Sequence, residues 1–229
     1  YIKNQVKGNE IPVQSLWSEY KAVLTTWKPT SKQERGVQES WLVVNHFRGK
    51  NDMVNSSMLE LAQDEQLGYA PYVGVAFPLT CKIDGHVFCF LPLPFEPDGR
   101  SLTNLPVHVN GFFALTSNRR HMLWASHDQH ESDDNRLKWN HLLISEVLSA
   151  AYIRLVRLLL EDSSISPNII YSSLPNAETI DPKWSILLQP FYTEVLHMEI
   201  FHTESGDNQN GRMLSFEDSL FFCFDRERE

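Results

Sequence analysis

Cysteine is scarce in this chain: Cys81, Cys89 and Cys223 are the only three in 229 residues. Their odd number and the lack of any C-x-x-C spacing give neither a disulfide framework nor a zinc knuckle, and reduced thiols in a cytosolic chain fit best. Positive charge is also short, with 20 Lys and Arg against 29 Asp and Glu and a formal net charge of −9. A general nucleic-acid binder relies on clustered cations to release counterions, so that class is not expected; an acidic surface keeps a chain soluble without naming a partner. No apolar run reaches the ~20 residues needed to span a bilayer and no secretory signal opens the chain, so membrane insertion is not expected either. Glycines are scattered at Gly68, Gly74, Gly85, Gly99 and Gly111 rather than grouped to cradle a phosphate. There is no Gly-x-Ser-x-Gly elbow, and Cys81 and Cys89 fall in apolar segments where a thiol acts as a small hydrophobe. Beginning at YIKNQ without a Met and stopping in DRERE, the sequence reads as a piece of a longer protein.

What is present is a core. Hydrophobic residues make up 42% and charged ones 21%, with 13 Phe, 7 Tyr and 6 Trp to fill an interior. A chain of this length can bury roughly 70% of its unfolded surface, as one domain or two small ones. The stretch around which the rest is arranged is Leu105 to Trp124, LPVHVNGFFALTSNRRHMLW. Val107 and Val109 alternate with His108 and Asn110 as in a half-buried strand, and Phe112, Phe113, Ala114 and Leu115 continue its apolar surface. Thr116, Ser117 and Asn118 are turn formers, and they deliver Arg119, Arg120 and His121 where the strand stops. A buried strand ending in a basic tip is where α/β folds tend to place ligand contacts, although two arginines at a loop are as a rule solvated surface charges.

Before this stretch, Leu16, Trp17, Tyr20, Val23, Leu24 and Trp27 recur at spacings of three and four, which predicts an amphipathic helix over Ile11 to Trp27. Its aromatic residues Trp17, Tyr20 and Trp27 form a candidate interaction surface, with core packing the commoner role for such a stripe. Residues 1–38 are thus expected to be an N-terminal helix and linker, and residues 39–229 a mixed α/β segment. Glu39 to Arg48 predicts a strand, Ser56 and Ser57 a short helix ending near Gly68, and Asp84-Gly85 an antiparallel hairpin joining Tyr72–Leu79 to His86–Leu93. LPLPFEPDG is too proline-rich for a ladder and predicts a stiff crossover. Asp133 and Asp134 sit where a helix start wants carboxylates, and from there to about Glu161 runs the longest helix, about 42 Å. Leu137, Ile144, Leu148, Ala151, Leu155, Leu158 and Leu159 make its core stripe, with Arg154 and Arg157 on a polar side. Asp181-Pro182 is an N-cap and N1 pair for a helix carrying Trp184, Leu187 and Leu188 that Pro190 kinks or splits, and GRMLSFEDSLFFCF closes as a strand or packed segment. The fold class is therefore mixed α+β: one mostly antiparallel or mixed sheet of about four strands covered by a long helix, with further helices on the C-terminal side.

Residue chemistry alone names no enzyme. His121, His127 and His130 with Asp128 and Asp133 match no regular ligand spacing, and His127 and His130 lie in the most polar loop, so no metal is expected.

The pieces HVFCFLPLP, LPVHVNGFFALTSNRRHMLW and DNRLKWNHLLISEVLSAAYIRLV resemble the repeated region of the sacsin family, very large chaperone-like proteins of neurons. The resemblance runs from about Trp41 to GRMLSFEDSLFF. In that family each repeat opens with an ATP-binding segment similar to that of the ninety-kilodalton heat-shock chaperone. The Asn-x-x-Asp-Ala and Asp-x-Gly-x-Gly signatures of that segment do not occur here, so no cofactor is expected within the chain, with ATP bound elsewhere in the parent protein. The resemblance implies a non-catalytic structural and interaction module of a cytosolic co-chaperone in protein quality control. Its partners would be the seventy-kilodalton heat-shock chaperone system, aggregation-prone or filament-forming clients and neighbouring repeats, near mitochondria and the cytoskeleton. The alternative it implies is the second half of a split ATPase, with Arg119, Arg120 or, less favoured, Arg100 reaching a terminal phosphate in trans, a task that suits a bidentate and permanently charged guanidinium.

Overall fold

The structure, a computed structural model, describes residues 11–26, 36–95, 99, 101–125, 134–203 and 212–219. Its centre is a helix, α2, continuous over residues 135–161 through Asn135–Leu142, a π-helical turn Leu143–Leu148, and Ser149–Glu161. Asp134 caps it, its carboxylate accepting from the Arg136 amide at 2.8 Å. The expected stripe is in place: Leu137, Ile144, Leu148, Ala151, Leu155 and Leu159 are buried and Leu158 packs at the margin. Leu143, Val147, Tyr152 and Val156 are buried as well, because α2 is covered on two sides.

One cover is a mixed six-stranded sheet in the order β1-β2-β3-β6-β4-β5. Its strands are β1 (Leu16–Thr26), β2 (Val37–Phe47), β3 (Tyr72–Pro78), β4 (Val87–Cys89), β5 (Leu91–Pro92) and β6 (His108–Gly111). All neighbours are antiparallel except β4 and β6, which run parallel. Leu42 and Val44 of β2, Val73, Val75 and Phe77 of β3, Val109 of β6 and Val87 of β4 share the face that meets α2, and all are buried. The other cover comes from the C-terminal side: α3 (Pro167–Ser172), a 3-10 turn Pro182–Leu187 and α4 (Leu188–Val195). Asp181 and Pro182 open that turn as expected, with the carboxylate accepting from the Lys183 amide at 2.9 Å. The split into two helices falls just before Pro190. Tyr152 donates to the Ser173 carbonyl at 2.5 Å and packs on Phe191, tying this layer to α2. A short helix α1 (Met58–Gln63) and a two-stranded sheet of β7 (Phe201–Thr203) and β8 (Arg212–Leu214) complete the fold.

Three sequence expectations are corrected. Leu91 and Pro92, expected to lie outside any ladder, form β5 against β4, with the proline on the edge strand where its missing donor is tolerated. The helix expected over Ile11 to Trp27, and with it the helical part of segment 1–38, is instead strand β1, paired with β2 through eleven consecutive residues. Propensity yields to tertiary pairing here, since Tyr20, Val23, Leu24 and the threonines suit a half-exposed edge strand equally well. The Asp84-Gly85 hairpin does not form, because β6 lies between β3 and β4. Gly85 serves another purpose: its amide donates to the Leu105 carbonyl at 2.9 Å, and a Cβ there would lie 2.2 Å from the Val107 carbonyl oxygen. Glycine is needed for this close backbone approach, not for a turn.

β1 is tied to α2 by charge. Glu19 accepts from Arg154 at 2.6 Å, and Lys21 reaches Asp162 at 2.5 Å, holding that carboxyl well below the usual range. Beneath β1, His46 is buried, stacked on Trp17 with ring centroids 3.8 Å apart and planes 5° from parallel. Its Nδ1 lies 3.3 Å from the carbonyl of Val147, in the π turn, so Nδ1 carries the proton and Nε2 is left buried without a partner. Burial pushes its pKa from about 6.5 down to about 4. The unfolded chain therefore takes up a proton on this residue as pH falls through 6.5 while the folded chain does not until about 4. Stability from this group is intact above pH 6.5, declines between 6.5 and 4 and then levels off, by about 3 kcal/mol in all. Urea unfolding at pH 7.5 and 4.5 should show a loss smaller by about 2 kcal/mol in His46→Phe than in the native chain; equal losses would contradict the assignment.

Candidate functional site

Two features of the fold face solvent with a defined geometry, and Asn140 joins one of them to the core. Beyond β6 the strand direction continues through Phe112–Leu115, and the chain returns along one side of it through Met122 and Leu123, Leu115 bridging Met122 and the Leu123 amide donating to the Ala114 carbonyl at 2.9 Å; no described strand lies on the other side. Asn140, 1% exposed, serves as the missing neighbour. Its Oδ1 accepts from the Ala114 amide at 2.7 Å, and its Nδ2 donates to the carbonyls of Ala114 at 2.9 Å and Leu123 at 2.8 Å. Trp139 adds an indole N–H to the Phe112 carbonyl at 2.7 Å. A carboxamide can meet an amide and a carbonyl of one residue at once, as a strand does.

This clamp holds the base of the basic turn. Thr116 receives the Arg119 amide at 2.8 Å on its carbonyl, and its own amide donates to the His121 carbonyl at 2.9 Å. Asn118 Oδ1 accepts from the Thr116 hydroxyl and the Arg120 amide, and Arg119 sits at φ +55°, the left-handed region. Arg119, Arg120 and His121 are all exposed, and no salt bridge to either arginine occurs among the described residues. Arg100, Glu131 and Asp133 lie outside the described residues, as do His127, His130 and Asp128. Among the described residues no group of His, Cys, Asp and Glu could hold a metal ion.

The second feature is the face of the sheet turned away from α2. The strand registers place Tyr20 of β1, Trp41, Val43 and Asn45 of β2, Gly74 and Ala76 of β3, His108 and Asn110 of β6, and Phe88 of β4 on it, with Tyr72, His86, Phe90 and Phe112 at their ends. Small residues Gly74 and Ala76 form its floor, and a ring array lies along one side. Trp41 stacks on His108 at 5.2 Å, His108 meets Phe88 at 5.7 Å and His86 at 5.8 Å, and His86 rests on Phe95 at 4.0 Å. Phe90 packs edge-on against Phe112 at 4.5 Å, beside Tyr72. Polar atoms are fixed among the rings: the Tyr72 hydroxyl donates to Asn45 Oδ1 at 2.8 Å, and Asn110 Oδ1 accepts from the Phe90 amide at 3.0 Å. The His86 amide donates to His108 Nδ1 at 2.9 Å, placing the proton on Nε2, and burial, then His86, holds that imidazole's pKa below its ordinary value. Such a face offers flat apolar area with oriented donors and acceptors and no net charge of its own.

The aromatic trio Trp17, Tyr20 and Trp27 is not one surface. Trp17 turns toward α2 and stacks on His46, Tyr20 turns to the opposite face, and Trp27 lies outside the described residues. A strand sends alternate residues to opposite sides, so the helical spacing that grouped them does not apply. β1 and the basic turn are also separated by β2 and β3. The outward rings His86, Phe88, Phe90 and His108 were missed as a set, although the alternation in HVFCF and in VHVN places each group on one side.

No family model and no solved structure matches the chain. Human sacsin does, at 36% identity over 186 residues, which cover 73% of this chain and 4% of the human protein. The chain thus spans a small fraction of the relative it matches. Among the described residues no helix is long and apolar enough to cross a membrane.

Replacing Asn140 by Ala strands the buried Ala114 amide and the Leu123 carbonyl, while the Ala114 carbonyl keeps its bond from the Leu123 amide, and should cost about 2 kcal/mol in urea unfolding. Trypsin should then cut after Arg119 and Arg120 sooner than in the native chain; a change under about 0.5 kcal/mol with unchanged cleavage would show that the clamp is dispensable.

Proposed function

The chain is a sacsin-related region, and on that premise we propose that it is a non-catalytic interaction module of a giant cytosolic co-chaperone that hands aggregation-prone or filament-forming clients to the seventy-kilodalton heat-shock chaperone system. The observation that carries this reading is the ring-lined outward face of the sheet. A face with Phe90 and Phe95 50% and 40% exposed, half-buried Tyr72, Phe88 and Phe112 beside them and fixed polar atoms among the rings has the makeup of a protein-binding surface. Unfolding clients expose apolar segments that bury area against such rings, and exposed aromatic side chains supply most of the energy in contacts of this kind. The net charge of −9 keeps a surface of this type from aggregating on its own account. Neighbouring repeats of the same chain are the second class of partner.

The test is suppression of aggregation of a heat-denatured reporter enzyme, followed by light scattering. Phe88→Ser removes a half-buried outward ring, and Phe90→Asn removes an exposed one while suiting the φ of +60° at that position. The double variant should need about tenfold more protein for the same protection, equivalent to about 1.4 kcal/mol of lost contact, with an unchanged unfolding midpoint. Protection equal to that of the native chain, or none by the native chain, would reject the reading.

A second reading rests on a separate observation, the exposed Arg119 and Arg120 on an internally bonded turn. In it this region completes the ATP site of an upstream segment, one guanidinium meeting the terminal phosphate. ATP turnover by the upstream segment joined to this chain would then fall by about 100-fold or more in Arg119→Ala or Arg120→Ala without loss of nucleotide binding. Turnover unaffected by both substitutions removes it.

A further inference from the structure

β1 is an edge strand of unusual openness. It is paired on one side only, to β2, through eleven residue pairs without a bulge, and no described strand lies along its outer side. At ~3.3 Å per residue this leaves about 36 Å of free backbone edge. Natural edges are normally blunted by proline, a bulge, short length or a lysine standing over the edge. β1 has no proline or glycine, and its one lysine is drawn away, Lys21 bonding to Asp162 while its neighbour Glu19 bonds to Arg154. Apolar side chains remain exposed along it, with Trp17 at 40%, Tyr20 at 50%, Val23 at 62% and Leu24 at 53%.

The order of these residues is self-complementary. We infer that β1 pairs antiparallel with β1 of a second copy of this chain, about a two-fold axis through Tyr20. In that register Tyr20 faces Tyr20, Glu19 faces Lys21, Ser18 faces Ala22, Trp17 faces Val23 and Leu16 faces Leu24, each hetero pair occurring twice. Glu19 and Lys21 keep their own partners, Arg154 and Asp162, and stand beside charges of the opposite sign across the axis; the exposed apolar residues cover one another, and the surface is isologous as a two-fold interface must be. Neighbouring registers that keep the same faces together fail on charge: centring on Glu19 sets two carboxylates opposite each other, and centring on Lys21 sets two ammoniums opposite each other, both destabilising. Because like faces meet, the two α2 layers lie on one side and the two ring-lined faces merge into one surface on the other. The pairing depends only on β1 and stands whether or not that surface holds clients.

Sedimentation velocity between about 1 and 100 μM, where a small interface dissociates, should show a monomer–dimer equilibrium. Tyr20→Glu places two carboxylates on the axis, and should weaken the dimer by at least about tenfold while circular dichroism and the unfolding midpoint stay native. Independently of how that variant folds, Tyr20→Cys should form a disulfide between the two copies at position 20 in oxidised glutathione, identified by peptide mass spectrometry, since directly opposed residues of two antiparallel strands fit disulfide geometry. Lys21→Cys, whose position faces Glu19, should not link to itself. A monomer at every concentration, including one whose edge is taken by another segment of a longer chain, would overturn the inference. So would a dimer that Tyr20→Glu leaves intact, or self-linking no faster at position 20 than at 21.

Discussion

The carboxamide of Asn140 is the contact on which the arrangement of the fold depends. Helices and sheets pack through side chains, and such packing leaves their relative position soft to sliding. Asn140 removes that freedom by bonding to both backbone groups of Ala114 and to the Leu123 carbonyl from inside the core. Trp139 adds a fourth bond one residue earlier. The start of α2 is thereby fixed to the chain leaving β6, and the apolar stripe that follows must lie across β3 and β2. The basic turn, whose base is Ala114 and Leu123, inherits its position from the same bonds.

A second set of polar contacts fixes α2 further along, at its π turn. Glu146 accepts from the Ser56 hydroxyl and from Arg48, and Val147 receives the buried His46. Both lie within Leu143–Leu148, so the irregular turn meets polar groups arriving from β2 and from the loop before α1. With the inner face of the sheet closed by α2, and α2 closed in turn by the C-terminal helices, the described residues leave, besides the basic turn, the outward face of the sheet and its β1 edge. Both are apolar in part and both are ordered, whereas the charged groups of β1 are engaged within the chain. This division of the molecule into a sealed side and an open side is what favours binding as its task.

Much of the sealed side was legible in the sequence. The long helix shows its heptad-like stripe, its Asp134 cap and its polar Arg154 and Arg157, because a helix buried on several sides repeats one strong pattern over many turns. The Asp181-Pro182 start is equally local in origin. What failed was non-local. Leu16, Trp17, Tyr20, Val23 and Leu24 fit a helical period by coincidence, and as an edge strand exposed on both faces β1 gives no clean alternation to set against it. Asp84-Gly85 looked like a hairpin turn because the need for glycine at 85 comes from the carbonyls of Leu105 and Val107, some twenty residues on. Nor could sequence show that Asn140, a poor helix former within a helix, stands in for a strand. Of the candidate site, Arg119 and Arg120 were placed at the tip of a turn as expected, while the ring-lined face needed the order of the strands, above all the insertion of β6 between β3 and β4.

The measurement that bears most directly on the open side is photo-crosslinking to a heat-unfolded client from two positions of the same chain. A photoreactive phenylalanine analogue at position 88 sits on the outward sheet face, and one at position 157 sits on the exposed flank of α2. If the outward face is the working surface, client crosslinks form from position 88 and are largely absent from position 157. Equal labelling from both, or labelling from position 157 alone, would contradict it and move the binding surface to the helical side.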